Sequence, residues 1–514
     1  MRLNKAILCL ITSLLFGCTV TPEPLTINQA YREAQANVKQ LFARQNKFKG
    51  KLDFNEALAR GIRYNLDYRI KLVNDALQAG QLDLAKLAMF PAINTTGSLY
   101  SRNNDFSSFG VTSAGQPTGV LNSTPRTLLS AREGITWNIL EFGMGYVRAR
   151  QQGERYLIAQ EEARKQLQQL AQDIRISYWA AYSAQELMKD VREFQLLLAT
   201  AKNELERAIQ DKMVPQESIL NYQTSIIEGN RRLIQMQYKF EKAQIDLKHL
   251  LNLPVDTKLT LVRPPIAVTK AQNLNRLNFK KLDAITLVSR PEIRSQGYQK
   301  QIAQLGVRAV IFQALPGITL NHGWNYNRNK FLINNEWLDR SIDISWNLMN
   351  LATLPKALDT AKAQIEYEKL KLMALTLTAL TETRYAYAHY QNLAKEFQVT
   401  NSQAMNAKAI YTLFSNRHRA SLASKQQVIV SKLRYITAKM EADILQSDLS
   451  TALGELYLSS GSDILPLGAA NLPLPQATEL IKRTFAMQNT MEFNRYVEYK
   501  YNSLFHAKNR RHYL

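Results

Sequence analysis

Short segments of the chain alternate apolar with polar residues, and this period of two predicts β-strands with one apolar and one polar face. The apolar members of these segments are Ile135, Trp137, Ile139, Ile318, Leu320, Trp324, Tyr326, Ile342, Ile344, Trp346 and Leu348. His322 interrupts one apolar face. A helical pattern precedes the alternation in each half of the chain, over about 54–89 and 284–314. A proline, Pro91 or Pro316, then ends the helix.

Two alternating segments per half, set between long helical patterns, can bury little apolar surface against each other. One interpretation is that they are half-buried strands of a soluble sheet. A barrel wall, apolar toward lipid and polar toward water, fits the pattern better. Because four strands cannot close a barrel, several copies of the chain would have to contribute strands.

Seven-residue periodicity after each strand pair predicts long, paired helices. No proline occurs from about residue 146 to 210, and a helix of that length would span on the order of 100 Å. After a break at 211–215, the returning helix carries consecutive a/d-type positions that include Tyr222, Gly229 and Phe240. The second half repeats this hairpin, with helices over about 356–413 and 421–456. A globular bundle is the alternative, but helices of this length exceed one compact core.

Three pairs of short matches occur in the same order and indicate an internal duplication. They pair residues 90–95 with 315–320, 136–140 with 345–349, and 246–253 with 448–455. We therefore divide the chain into a lipoprotein signal peptide (1–17), a lipidated N-terminal arm (18–51), a first repeat (52–258), a linker (259–281), a second repeat (282–458) and a basic tail (459–514).

The N-terminus predicts export from the cytoplasm. Arg2 and Lys5 precede an apolar run over 6–16 that is too short to span a membrane in the mature protein, which is typical of a signal peptide. The run leads to Cys18, and its sequence resembles a bacterial lipobox, in which the cysteine is acylated. Thr19 follows, and the resemblance then implies transfer to the outer membrane. The alternative is an ordinary signal peptide with an incidental cysteine.

Composition excludes several classes of protein. Of 514 residues only 20 are Gly and 15 are Pro, which favours long helices. The net charge is +22, but Lys and Arg are scattered among acids, so we expect no nucleic-acid binding. Both cysteines, Cys9 and Cys18, precede residue 19, and the six histidines lack partners at ligand spacing, so we expect no metal site. No catalytic motif occurs, and we expect neither an enzyme nor a cofactor.

The signal peptide, the lipobox cysteine and two halves of helix, strand pair and long hairpin resemble the TolC-type outer-membrane efflux proteins over about 52–458. The paired proline and Trp-Asn motifs, at Trp137 and Trp346, add to this resemblance. It implies a mainly α fold with a membrane β-barrel part. Three identical chains would each give four strands to a 12-stranded barrel, and their long helical hairpins would form a periplasmic α-barrel.

The resemblance also implies a function, a passive exit duct of the outer membrane that extends into the periplasm. A periplasmic adaptor protein would open the duct at its helical tips, and an inner-membrane transporter would feed it with drugs, other small molecules or metal ions. Two alternatives stay open. One is the duct of an ATP-driven (type I) protein secretion system, and the other is a coiled-coil lipoprotein without a pore.

The candidate gate and adaptor-contact residues lie at the two hairpin turns. They are Asp211, Lys212, Pro215, Glu217, Arg417, His418, Arg419, Ser421 and Ser424. In the family, carboxylates narrow the pore at positions that map near Ser421 and Ser424, and neither of these is acidic. Our hypothesis is an entrance that is less cation-selective. The alternative is that these are solvated turn residues that contact the adaptor.

Two further regions carry expectations. The aromatic and acidic residues at 105–109, and at 331–339, are expected in loops between strands, either at the membrane interface or packed within the loop. The tail has a short amphipathic pattern around Phe493 and Tyr496, which predicts a helix against the waist of the tunnel or an anionic surface. Disorder of the tail is the alternative.

Overall fold

The structure, a computed structural model, describes residues 23–43, 45–48, 50–210, 215–264, 274, 276–462, 465, 467–490 and 492–505. Three of the candidate residues, Cys18, Asp211 and Lys212, lie outside these ranges. Among the described residues, no helix combines the length and the apolar character needed to cross a bilayer.

The two halves of the chain repeat one order of elements. Each has two shorter helices, two long strands, a helix of 72 residues and a helix of 35. The first half contains α2 (Phe54–Tyr64), α3 (Leu66–Leu87), β2 (Ala92–Ser101), β5 (Thr127–Asn138), α4 (Ile139–Gln210) and α5 (Gln216–Leu250). The second contains α6 (Phe279–Ser289), α7 (Pro291–Gln313), β7 (Gly317–Asn327), β8 (Glu336–Ser345), α8 (Leu348–Arg419) and α9 (Lys425–Ser459).

The other elements lie at the termini and in the connections. They are α1 (Ile27–Ala43), β1 (Lys51–Leu52), β3 (Phe106–Val111), β4 (Pro117–Thr124), β6 (Thr260–Leu261), α10 (Leu474–Thr490) and α11 (Phe493–Phe505). Strands β1 and β6 pair in parallel next to the linker. At 1.5 Å per residue, each 72-residue helix is about 110 Å long.

Both long helices begin earlier than the sequence predicts. An asparagine caps each helix: Asn138, the last residue of β5, accepts a hydrogen bond at Oδ1 from the Glu141 amide (3.0 Å), and Asn347, two residues after β8, accepts one at Oδ1 from the Met349 amide (3.1 Å). The prediction that Ile139 and Leu348 continue the strands is therefore wrong, because each is the first residue of a helix.

Helix α8 also contradicts the predicted hairpin boundaries. It runs through Pro355, which cannot donate a backbone hydrogen bond, whereas the sequence predicts a start after this proline. It ends at Arg419, so that Arg417, His418 and Arg419 form its last turn and not the connecting turn. Cations are favourable there because the last turn carries the negative end of the helix dipole.

Four strands form one antiparallel sheet in the order β2–β5–β7–β8, which confirms two long strands in each half. The register places Ile93 opposite Ile135, and Leu320 between Trp137 and Ile342. Strands β2 and β8 are the edges of this sheet, and neither has a further strand partner in the described part of the chain. The four-stranded sheet is therefore open on both sides.

The connection between β2 and β5 contains a hairpin, β3–β4, where the sequence predicts a loop. Arg126 donates two hydrogen bonds of 2.8 Å to the Asp105 carboxylate at its base. Residues 106–109 thus lie in a strand. Trp337 and Asp339, also expected in a loop, lie in β8. The hairpin segment mixes Gly, Ser and Thr with isolated apolar residues and has no sustained period of two, so its strands leave little trace in the sequence.

The helices pack side by side in a single layer with two tiers. In the upper tier, next to the strands, the helices lie in the order α3–α4–α7–α8. In the lower tier, farther from the strands, the order is α5–α4–α9–α8. The 72-residue helices α4 and α8 run through both tiers. The layer therefore has two open edges, formed by α3 and α5 on one side and by α8 on the other.

Two apolar cores lie where the tiers meet. The first joins α2, α4 and α5 to α10 and contains Phe54, Tyr178 and Phe485, and the second joins α6, α8 and α9 to α11 and contains Tyr390 and Phe493. The tail thus gives one helix to each half. The alternative of a disordered tail is wrong for α10 and α11, because their apolar faces complete the two cores.

Candidate functional site

The strand register sorts the sheet into an apolar and a polar face. The apolar face contains Ile93, Leu99, Ile135, Trp137, Ile318, Leu320, Trp324, Tyr326, Leu338, Ile342 and Ile344. Trp346 follows β8, and its indole Nε1 donates to the Ala314 carbonyl (3.0 Å), which ties the sheet to the end of α7. Contact of this face with lipid stays a prediction.

Three polar residues interrupt the apolar face at mid-height. His322 lies between Ile135 and Arg340 in the register, and Glu133 is the next residue of β5 on the same face. A lone Arg at the bilayer midplane costs about 2–4 kcal/mol. The Glu133 carboxylate lies two strands away from Arg340, across β7.

The opposite face of the sheet is polar, and its side chains bond to one another across the strands. Thr136 Oγ1 donates to Asn321 Oδ1 (2.9 Å), and Asn321 Nδ2 donates to the Asp343 carboxylate (2.7 Å). The hydroxyl oxygens of Ser98 and Ser130 lie 2.7 Å apart. A polar face of this kind suits the water-filled interior of a barrel.

Sequence reasoning missed one charged pair on this polar face. Arg132 Nη2 of β5 lies 3.4 Å from Asp339 Oδ2 of β8, and both side chains are partly exposed. Between them the register places Gly134 opposite Gly323. Glycines inside two strands were the available signal, since they mark a close approach of other atoms.

Helix α5 has apolar residues on two separate faces. The predicted seam, with Tyr222 and Phe240, packs into a core with α4, and Gly229 there receives the ring of Phe194. A second stripe is exposed and consists of Leu220, Ile227, Ile234, Tyr238 and Ile245. At 3.6 residues per turn the two stripes lie about 145° apart. A helix with two such faces suits a position between two neighbours, and within the described part of the chain the second stripe is not covered.

The opposite edge of the layer is apolar as well. Helix α8 exposes Tyr367, Leu370, Met373 and Leu377, with spacings of three and four residues. Helix α3 exposes Ile70, Val73, Leu77, Leu84 and Leu87 in the same way. Apolar stripes of this length on a folded surface mark an interface.

Three lysines on α9 form ion pairs with α4 at intervals of seven residues, and we call this set the lysine ladder. Lys425 lies 2.9 Å from Glu204, Lys432 pairs with Glu193, and Lys439 pairs with Asp190. The hydrogen bond from Lys425 lowers the pKa of Glu204. The lysine ladder links the two helical hairpins along the lower tier.

The hairpin turn between α8 and α9 brings most of its candidate residues together. Ser421 has a φ of 58°, and its amide donates to the His418 carbonyl (2.9 Å), which closes the end of α8. Ser424 caps α9 through a reciprocal pair of hydrogen bonds with Gln427. These two serines therefore have structural roles, while Arg417 and Arg419 are exposed.

In the first hairpin, Pro215 and Glu217 lie at the start of α5, next to the undescribed residues 211–214. Pro215 caps the helix without a side-chain hydrogen bond, and its carbonyl accepts from the Ser218 amide (3.0 Å). Glu217 lies in the first turn, where a carboxylate is favourable next to the positive end of the helix dipole.

No protein-family profile matches the chain. Over 235 residues, 44% of the chain, it is 24% identical to the toxin and drug export protein A of Aggregatibacter actinomycetemcomitans. This match covers 48% of that protein, about half of its length.

Solved structures match over much more of the chain. The outer-membrane channel OprN matches with a TM-score of 0.64 and 16% identity over 80% of this chain and 90% of its own. The CmeC channel of Campylobacter jejuni matches with a TM-score of 0.63 and 12% identity over 84% of this chain and 89% of its own. The open state of the MtrE channel of Neisseria gonorrhoeae matches with a TM-score of 0.63 and 16% identity over 79% of this chain and 88% of its own.

The open sheet with one apolar face, together with the open-edged layer of long helices, defines the fold class of the protein as mainly α with a four-stranded β part. Its fold is that of the TolC-type outer-membrane channels, as the sequence resemblance implies. The solved proteins that share it are channels and not enzymes.

Proposed function

We propose that the protein is the outer-membrane exit duct of a tripartite export system and acts as a homotrimer. The observation that carries this proposal is the sheet with one apolar and one polar face and two unpaired edges. Joining β2 of one copy to β8 of the next would satisfy the backbone groups at both edges, as a bilayer requires. The apolar face would then meet lipid and the polar face would line the lumen.

The helical layer supports the same assembly. Its exposed apolar stripes on α3 and α5 belong to one edge, and that on α8 belongs to the other, so a ring of copies would bury them all. The resemblance to TolC-type proteins sets the number at three. Three chains would give twelve strands above and a continuous helical tunnel below.

The proposed anchor is an acyl group on Cys18. The described part of the arm is helix α1, in which Ile27, Tyr31 and Val38 are exposed on one face. The nine residues from Cys18 to Ile27 reach at most about 30 Å when extended.

The periplasmic tips are the proposed site of adaptor contact and of gating. Arg417 and Arg419 are exposed at the end of one hairpin, and Lys425 begins the helix that returns from it. Opening would be a population shift in which adaptor contacts favour separation of the hairpins that the lysine ladder joins. The basic tip also supports the hypothesis of an entrance without strong cation selectivity, and a clear cation preference in reversal potentials would contradict it.

Drugs or other small molecules are the proposed cargo. The polar lumen face offers contacts to many solutes, and a wide passive pore discriminates little between them. Export of metal ions rests on the sequence resemblance alone. Secretion of a protein toxin is the second candidate, and the similarity to the toxin and drug export protein A favours it. The partner at the inner membrane would separate them: a proton-driven transporter for efflux, or an ATP-driven exporter for secretion.

Three measurements test the proposal. Native mass spectrometry of the purified protein should give three chains, and low-resolution imaging should show a long hollow cylinder. The trimer should also conduct ions in planar bilayers, because a coiled-coil lipoprotein without a pore would not. A water-soluble monomer would refute the duct.

A further inference from the structure

The inner, polar face of the sheet contains two facing glycines in its middle strands. Gly134 of β5 lies opposite Gly323 of β7, and Asp339 of β8 lies opposite Gly323 on the other side. Because opposite residues of an antiparallel pair share a face, these positions form one row across three strands. Two adjacent positions of this row therefore have no side chain.

Two charged side chains occupy the space above these glycines. Arg132, two residues before Gly134 on the same face, reaches diagonally over Gly323 and brings its Nη2 to 3.4 Å from Asp339 Oδ2. Asp339 Oδ1 is buried against Gly323 and has no hydrogen-bond partner among the described residues. The guanidinium and the carboxylate thus lie flat on the wall.

The glycine of β7 leaves the space in which this pair lies. A Cβ on Gly323 would lie 3.0 Å from Asp339 Oδ1, 3.2 Å from the Glu133 carbonyl oxygen and 3.3 Å from Arg132 Nε. A Cβ on Gly134 would lie 3.2 Å from the His322 carbonyl oxygen and 3.8 Å from Arg132 Nε. Because the carbonyls belong to the paired backbone, a Cβ on Gly323 would have to be accommodated by a small shift of the two charged side chains toward the lumen.

The charges stay open to the lumen despite this packing. The side chain of Arg132 is 49% exposed and that of Asp339 is 39% exposed. Trp337 and Asn325 lie in the adjacent row, on the same face as Arg132. The face therefore presents a cation, an anion and an indole side by side to whatever passes.

We propose that Arg132 and Asp339 form the ion-contact site of the outer-membrane part of the duct, and that Gly134 and Gly323 hold this pair flat so that the lumen stays wide. The proposal rests on the proposed trimeric duct, in which the pair would occur three times around the wall. Rings of charged side chains set the selectivity of pores. Here each Arg132 guanidinium is balanced by an Asp339 carboxylate. The three pairs around the wall therefore favour neither cations nor anions until one of the two side chains is replaced.

Reversal potentials of the purified trimer in planar bilayers under a KCl gradient test the charges. Arg132→Gln leaves the Asp339 carboxylates uncompensated and should shift the potential toward cation preference. Asp339→Asn leaves the Arg132 guanidinium and should shift it in the opposite direction. The double variant should return to the wild-type value. The shifts should grow at low salt, because the Debye length increases from about 10 Å at 0.1 M to about 30 Å at 0.01 M.

Single-channel conductance tests the glycines. Gly323→Ala should lower the conductance by forcing the charged pair into the lumen. Gly97→Ala is the matched control, because Gly97 lies in the same sheet on the apolar face and an added Cβ meets no atom within 4 Å among the described residues. Its conductance should stay at the wild-type value.

The outcomes separate this inference from the proposed function. A wild-type protein that forms no conducting trimer refutes the duct itself. A conducting trimer in which the two charge variants shift the reversal potential in the same direction, or not at all, refutes only the ion-contact site. Should Gly323→Ala fail to fold, the charge variants still decide the matter, because neither adds atoms to the wall.

Discussion

Gly61 marks the closest approach of α2 to the midpoint of α4. A Cβ at this position would overlap Cδ1 of Ile174, which is fully buried in the first core and has no room to move. We expect Gly61→Ala to destabilise the protein by about 1–3 kcal/mol, as overpacking of a core does. Thermal unfolding of the purified protein measures this loss.

Gly297→Ala is the control for that experiment. An added Cβ at Gly297, within α7, meets no atom within 4 Å among the described residues. Removing a glycine from a helix interior should stabilise the protein by roughly 0.5–1 kcal/mol. Equal effects of the two substitutions would show that helix propensity, and not the contact with Ile174, decides the outcome.

Individual side chains are predictable only where their position follows a local rule. The alternation from Ile318 to Tyr326 placed those residues on one face because side-chain direction in a strand depends on parity alone. The same rule carries no information on which strands become neighbours. The contact between Arg132 and Asp339 depends on bringing together residues more than 200 positions apart, so no local pattern contained it.

At the scale of elements, the lysine ladder leads to a prediction about gating. Exchange of Lys425, Lys432 and Lys439 for Ala removes three ion pairs between α9 and α4, each worth about 0.2–1 kcal/mol when exposed. We expect the closed state to lose on the order of 1 kcal/mol and the trimer to open more often in planar bilayers. The matched variant with three Lys→Arg exchanges keeps the charges and should behave as the wild type.

Low pH should weaken the lysine ladder at the ion pair between Lys425 and Glu204. The Lys425 hydrogen bond, and the charges of Lys425 and Arg207, lower the pKa of Glu204 in the folded protein. A lowered pKa adds stability above the ordinary glutamate value, and this stability is lost as the pH falls through the folded value. Amide hydrogen exchange at the start of α9, corrected for intrinsic rates, should therefore increase in acid.

Glu204→Gln provides the reference for this pH experiment. The variant should exchange faster already at neutral pH and lose the acid-dependent step, because its amide does not titrate. An acid-dependent step of unchanged size in the variant would assign the effect to another carboxylate of the two hairpins.

Long helices and strands were predictable because their periodicity persists over many residues. Helix ends were less so: Pro355 favours a start after it, yet the cap at Asn347 sets the start eight residues earlier. The β3–β4 hairpin escaped prediction for a different reason. Its pairing is held by contacts such as Asp105 with Arg126 at its base, and such contacts have no periodic signature.

For the whole molecule, the second stripe of α5 leads to a prediction about assembly. Ile227 is 61% exposed within this stripe. Ile227→Asp should weaken the trimer, because assembly would bury its carboxylate in an apolar interface without a partner. Native mass spectrometry should show fewer trimers and more monomers.

Asn221→Asp is the matched control for that variant. Asn221 is exposed on the remaining face of α5, about 100° from the seam and about 115° from the second stripe, so its new charge would stay in water. It should assemble as the wild type does. Equal loss of trimer in both variants would mean that the stripe is not the interface.

The duplicated architecture of the molecule was predictable, since matches such as Phe90-Pro91 with Leu315-Pro316 keep their order along the chain. The packing of the two tail helices against the two halves was not predictable. Phe485 packs near Phe54, and Tyr496 near Tyr457, but an amphipathic pattern shows only that a helix needs a cover and not which surface provides it.

The placement of α10 and α11 has a consequence for biogenesis. In the proposed exported protein, α10 and α11 would leave the secretion machinery after both repeats, yet each of them completes the apolar interior of a different half. A chain that stopped before residue 474 would lack Phe485, which lies against Phe54, and Phe493, which lies against Tyr457. We therefore expect such a shortened chain to have two partly uncovered cores and to be degraded by proteases more readily than a chain with both helices.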